Sequence, residues 1–132
     1  MRLDRKDFQI LVHIQEYCRE VRMALDSFHR SEDEFHRNPV FRNACSMPLM
    51  QIGELAKHLS DAFVQSDSAT SGTPWRAIKG MRNLFAHDYH SMNYDVIWET
   101  ATENIPALEA HIRSLMEGQE EKQTIASAPK SL

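Results

Sequence analysis

Cysteine is scarce in this sequence. Cys18 and Cys45 are the two present, and neither their number nor their separation makes a disulfide framework or a zinc-binding spacing. Both fall within helical patterns and are expected to act as small buried hydrophobes, which fits a reducing compartment. Long hydrophobic runs are missing as well. No stretch approaches the roughly 18 apolar residues of a membrane span, and the N-terminal MRLDRKDFQI has no apolar core of the secretory kind, so a cytoplasmic, membrane-free protein is expected. Strand-like alternation, internal repeats and low-complexity core segments are absent, which excludes sheet-based and solenoid architectures. Acidic residues are missing from one interval: between Asp67 and Asp88 there is none, whereas Arg76, Lys79, Arg82 and His87 lie there. A formal charge of −4 excludes a protein coated in positive potential, yet it leaves this local basic stretch.

What is present suffices for one globular domain with a core, since 42% of the 132 residues are hydrophobic. Leu11, Ile14, Cys18, Val21, Leu25 and Phe28 recur at alternating three- and four-residue spacing and predict a first helix. Asp4 is its cap, with Leu3 and Phe8 placed as a hydrophobic staple. The polar stretch His29 to Arg37 reads as a loop. Asn38-Pro39 then opens a second helix, carried by Phe41, Ala44, Pro48, Ile52, Leu55 and Leu59 toward Val64, with a bend or break near Ser46 because Pro48 removes a backbone hydrogen bond. Ser66 to Thr73 reads as a flexible connection. Thr73-Pro74 opens a third helix whose buried side holds Trp75, Ile78, Met81 and Phe85. A fourth runs from Asn93 through Ile97, Ala101, Ile105, Leu108, Ile112 and Leu115 to Gly118, bent at Pro106. The expected fold is all-α, a four- or five-helix up-and-down bundle over residues 1–117, followed by a flexible C-terminal tail at 118–132.

Chemistry is concentrated in Arg82-Asn83-Leu84-Phe85-Ala86-His87-Asp88-Tyr89. Arginine offers a permanently charged planar fork suited to phosphate oxygens, and histidine exchanges protons near neutrality. Together they suit metal-free phosphodiester cleavage of RNA. A base takes the 2′-hydroxyl proton, a cation stabilises the charge building at phosphorus, and an acid protonates the leaving oxygen. On an unbroken helix His87 lies about 140° from Arg82. To act on one group, either the helix ends near Ala86 so that His87 turns back, or copies from two chains converge. One histidine cannot serve as acid and base in the same step, so two chains about a two-fold axis are expected.

These residues resemble the HEPN superfamily, and within it the HepT-like toxins of toxin–antitoxin pairs. The resemblance is carried by RNLFAHDY at 82 to 89, with its complete Arg-x4-His-x-Tyr pattern, by QIGELAKHLS at 51 to 60, by PWRAIKGMRN at 74 to 83, and by YDVIWETATENIPAL at 94 to 108. It implies an all-helical homodimeric ribonuclease that needs no metal or cofactor, with Arg82 and His87 as the catalytic pair and Asn83 as polar support. It also implies a partner, a minimal nucleotidyltransferase antitoxin that transfers AMP to the motif tyrosine, here Tyr89. A phosphodiester there would occupy the arginine fork and block RNA.

The chain could be a non-catalytic helical partner that docks the nucleotidyltransferase, or a small-nucleotide sensor using the same basic stretch. Arg76 and Lys79 are candidate RNA contacts, and Arg37 and Arg42 either extend that potential or are ordinary surface charge. His87 and His90 are three apart, but no third ligand is fixed, so no metal site is expected. His13, His29 and His111 read as solvated positions. Trp75 and Trp98 read as core or dimer interface. Gly53 permits close helix approach, with Glu54 beside it as a solvated or interfacial charge.

Overall fold

A computed structural model describes residues 3–87 and 93–127 of the chain. Among the described residues all regular structure is helical: α1 (Arg5–Ser27), α2 (Glu32–Arg37), α3 (Pro39–Ala56), α4 (Asp61–Ser71), α5 (Trp75–His87), α6 (Tyr94–Glu99) and α7 (Ile105–Ser127). α1 packs against α3 on one side and α7 on the other, and α3 in turn packs against α5. The expected all-α bundle is what the chain forms. None of the helices in the described residues is long and apolar enough to cross a membrane.

Local signals start most of these elements. Asp4 accepts the amide of Asp7 at the start of α1, Asn38 accepts that of Val40 at the start of α3, and Asn93 accepts that of Asp95 at the start of α6. The predicted apolar face of α1 is buried from Leu11 to Leu25. Cys18 and Cys45 are free and buried, and burial pushes both thiols up to about 12, so they stay protonated as packing groups.

Four expectations are corrected. His29 to Arg37 is not all loop, because Glu32–Arg37 forms α2. Ser31 accepts the amide of Glu34, acids fill the first turn, and His36 and Arg37 close the last. A six-residue helix has little stability by itself. It is held by Phe35, which is wholly buried and packs on Phe41 and Trp98; burying such a side chain contributes roughly 1.5–3 kcal/mol. Second, of the bend or break expected near Ser46 the structure excludes the break: α3 continues through Pro48, with Phe41, Cys45, Leu49 and Ile52 all buried along it between α1 and α5. It stops at Ala56, short of Val64.

Third, Ser66 to Ser71 is helical, not a flexible connection. α4 starts on the Ser60 cap and ends at Gly72, whose φ of 75° is the left-handed conformation that glycine tolerates. Buried Asp7 ties this turn to α1 by accepting from both the amide and the hydroxyl of Ser60. Fourth, the last helix does not stop at Gly118; α7 continues to Ser127. Its predicted irregularity at Pro106 is real but takes a specific form. Thr100–Asn104 is π-helical, and the amide of Ile105 reaches back to the Thr100 carbonyl. Pro106 has no amide to continue the ordinary ladder, and the wider turn accommodates it.

Candidate functional site

α5 carries the motif, and its buried side is the predicted one. Trp75, Met81 and Phe85 face the core, with Ile78 half-buried beside them. Going round the helix from that side, Arg82 comes first, then Lys79, Asn83, Arg76 and finally His87, at about 100° per residue. Lys79 is half-exposed and Arg76 is exposed. The outward half of α5 is therefore a basic and polar surface without an acid of its own.

Arg82 is held where α5 meets α3. The two backbones approach closely at Gly53: a Cβ there would lie 2.6 Å from the Arg82 nitrogen and 3.0 Å from the Ile78 oxygen. Only glycine allows that approach, as the sequence suggested. The neighbouring side chain, Glu54, then falls beside the guanidinium, with Oε2 3.2 Å from Arg82 Nε. Oε2 is shielded from solvent, yet no hydrogen bond is directed at it, so the contact is an ion pair rather than an aligned N–H···O bond. Glu54 Oε1 also lies 3.7 Å from His58 Nε2. At the other edge of the fork, Arg82 Nη1 donates to Asn83 Oδ1 at 3.3 Å.

His87 is the last residue of α5 and is exposed. α5 is helical up to His87, one residue beyond Ala86. Arg82 and His87 stay about 140° apart around the helix axis. Tyr89 and His90 lie outside the described residues.

Sequence reasoning missed a second polar cluster at the opposite end of α5. Asp67 is 5% exposed and accepts from Trp75 Nε1 at 2.7 Å, from His111 Nε2 at 2.9 Å and from the Ser71 hydroxyl at 3.2 Å. His111 is thus a partly buried link between α7 and α4, not a solvated position. A lone Asp in a run of small polar residues gave no warning of this.

Arg42 also leaves the list of RNA contacts. Its Nη1 donates to the carbonyls of Phe35 and His36, closing α2, and its guanidinium lies 4.2 Å over the Tyr94 ring. Arg37 pairs with Glu34 on the surface. Trp75 is wholly buried, and Trp98 packs on Phe35 and Phe41.

Among the described residues one set has metal-ligand spacing, Glu32, His36 and Asp95, all exposed. Both ring nitrogens of His36 are engaged, Nδ1 by the Glu32 carbonyl at 2.9 Å and Nε2 by Asp95 at 2.7 Å. The arrangement is a histidinium bridge between α2 and α6. Two surface grooves flank α5. One, of about 560 Å³, lies between α5 and α7 and is walled by Ile78, Met81, Leu84, Ile105 and Leu108; neither Arg82 nor His87 lines it. The other, of about 550 Å³, runs along α3 past Val40, Met47 and Met50 to Phe85 of the motif.

An all-α, HEPN-like bundle with an arginine clamped between helices and a histidine at the same helix's end is the class of protein these features define. Residues 14–115 match the family described as Ribonuclease HepT-like, and the chain belongs to that family. Among named relatives it is similar to "Putative RNase TTE0752" of Caldanaerobacter subterraneus, 37% identical over 87 residues that make up 66% of this chain and 75% of the relative. It is similar to "Putative RNase MJ1380" of Methanocaldococcus jannaschii, 26% identical over 61% of this chain and 71% of the relative. It is also 31% identical to "Probable ribonuclease HepT" of Thermococcus cleftensis, over 48% of this chain and 56% of that protein. No solved structure matches the chain.

Proposed function

We propose that this chain is the ribonuclease toxin of a toxin–antitoxin pair, acting in the cytoplasm as a homodimer in which Arg82 of one copy and His87 of the other work on one phosphodiester without a metal ion. Membership of the HepT-like family supports the activity class. The observation that carries the composite site is the continuity of α5 through His87, which keeps the two side chains on different faces of one helix while Arg82 is engaged by α3. A two-fold pairing supplies two arginines and two histidines, and so provides an acid and a base for one step. Val40 and Met47, exposed beside Phe85, give an apolar surface of the kind a second copy would cover.

In this reading one His87 removes the proton from a ribose 2′-hydroxyl as its oxygen bonds to phosphorus. The bond to the 5′-oxygen breaks, and the other His87 returns a proton to that oxygen, leaving a 2′,3′-cyclic phosphate and a 5′-hydroxyl. Arg82 stabilises the charge on the non-bridging oxygens, Asn83 supports Arg82, and Arg76 and Lys79 contact flanking phosphates. The partner is a minimal nucleotidyltransferase antitoxin. It transfers AMP from ATP to the Tyr89 oxygen with release of pyrophosphate, placing a negative phosphodiester beside the arginine fork.

The test is cleavage of total cellular RNA by wild-type protein and His87→Ala in chelator, with the oligomeric state of both measured in the same buffer. Chelator-resistant cleavage that disappears in His87→Ala while the dimer persists is the expected result. Absence of cleavage by wild-type protein whose mass shows Tyr89 unmodified would leave the chain a non-catalytic partner of the nucleotidyltransferase.

A further inference from the structure

We infer that Glu54 is a positioning residue for the Arg82 guanidinium, an inference that rests on the ribonuclease reading of the site and adds a residue from a second helix to it. The geometry starts at Gly53, where α3 touches the backbone of Arg82 itself. The next residue along α3, Glu54, has its carboxylate beside Arg82 of α5. Oε2 is withdrawn from solvent and receives no directed hydrogen bond. A shielded carboxylate oxygen is costly unless an opposite charge compensates it. Arg82 Nε, 3.2 Å away, is that charge.

The guanidinium is thereby restrained at two of its three nitrogens, Nε by Glu54 and Nη1 by Asn83, while Nη2 has no partner among the described residues. The restrained edge faces α3 and the chain's own Asn83. Among the described residues this leaves Nη2, with the second hydrogen of Nη1, for a phosphate. A flexible arginine would otherwise have to order its side chain as the transition state forms, and prior orientation removes that cost.

A carboxylate beside this arginine also weakens its attraction for RNA, because it places a negative charge near a negative ligand. Orientation and affinity therefore respond oppositely to removal of the charge. Glu54→Gln should lower kcat by about 10- to 100-fold, the range expected when a reacting group loses its placement, while KM stays level or falls. Glu54→Asp keeps the charge on a shorter arm and should restore part of kcat.

The experiment measures kcat and KM on a short single-stranded RNA for wild-type dimer, Glu54→Gln and Glu54→Asp, with thermal melting of each, and records the 15N resonance of Arg82 Nε–H in the same proteins. The expected set is a fall in kcat without a rise in KM, partial rescue by aspartate, unchanged melting, and an Arg82 Nε–H resonance that is shifted in Glu54→Gln relative to wild-type protein. Unaltered kcat, or a KM that rises as though Glu54 bound RNA, would overturn the inference. So would a kcat loss that follows melting. If the wild-type dimer cleaves no RNA the ribonuclease reading fails by itself, and the Arg82 resonance still decides: an unshifted signal in Glu54→Gln would remove Glu54 from any positioning role.

Discussion

Two carboxylates hold α5, one at each end, and they are built differently. Asp67 at the N-terminal end is buried and receives hydrogen bonds from Trp75, His111 and Ser71. Glu54 at the motif end is half-exposed, and its partner Arg82 meets it as an ion pair without an aligned hydrogen bond. A fully satisfied buried acid fixes three elements to each other and has nothing left to offer a ligand. In the proposed function the incompletely satisfied Glu54 keeps the charged fork in place, and the part of the fork without a partner among the described residues meets an incoming anion. The first arrangement is structural, and the second has the features of a site.

The comparison is most sharply tested at the arginine. Arg82→Lys keeps the charge but loses the fork, and it should reduce RNA cleavage by about 100-fold, the scale expected when a preorganised donor to a developing charge is lost. Its melting should stay close to wild type; a parallel loss of folding would mean that the motif end is structural after all. Asp67→Ala should do the reverse. It leaves the Trp75 N–H buried without a partner, so unfolding in denaturant should show a loss of about 1–3 kcal/mol, with cleavage below the melting range unchanged. If activity fell first, the Asp67 cluster would have to be coupled to the site.

Gly53→Ala joins the two properties. Its Cβ would meet backbone at 2.6 Å, an obstacle that no rotamer relieves. Separation of α3 from α5 should cost about 1–3 kcal/mol and lower cleavage as well, because Arg82 moves with the helix. Stability lost without any change in cleavage would show that the position of α5 is not what orients Arg82.

The smallest effect belongs to His36, where the hydrogen bond to the Glu32 carbonyl, and then the Asp95 carboxylate, raise its pKa above the ordinary histidine value. A raised value in the folded state means that the stabilisation is complete below the unfolded pKa and is lost as pH rises through the folded one. Wild-type protein should therefore lose a little stability across and just above the usual histidine range, while His36→Gln should lack that step. The side chain is exposed, so the step is small, and two superimposable curves would discount the bridge.

Much of this chain could be read locally. Asp4, Asn38 and Asn93 announce helices because a cap is a contact between residues two or three apart. The buried face of α5 followed from the spacing of Trp75, Ile78, Met81 and Phe85. The cap and charges of α2, at Ser31, Glu34 and Arg37, are local signals too, but the segment has no apolar series to mark it as a helix. Phe35, its one buried residue, gains its burial from Phe41 and Trp98, and no local pattern announces that. α4 is hidden for the same reason: its small polar residues carry little periodicity, and its place is decided by Asp7, Trp75 and His111 from elsewhere in the chain.

The sequence by itself determined the helical class, the family pattern at 82 to 89 and the basic stretch around it, since these depend on residue type and on spacing within a few turns. Only the tertiary structure decided that α5 stays helical through His87, that α3 continues through Pro48, and that Glu54 meets Arg82. Those outcomes depend on which helices touch and how closely. That was settled at Gly53, where the absence of one side chain lets two backbones meet and brings together charges that lie far apart along the chain.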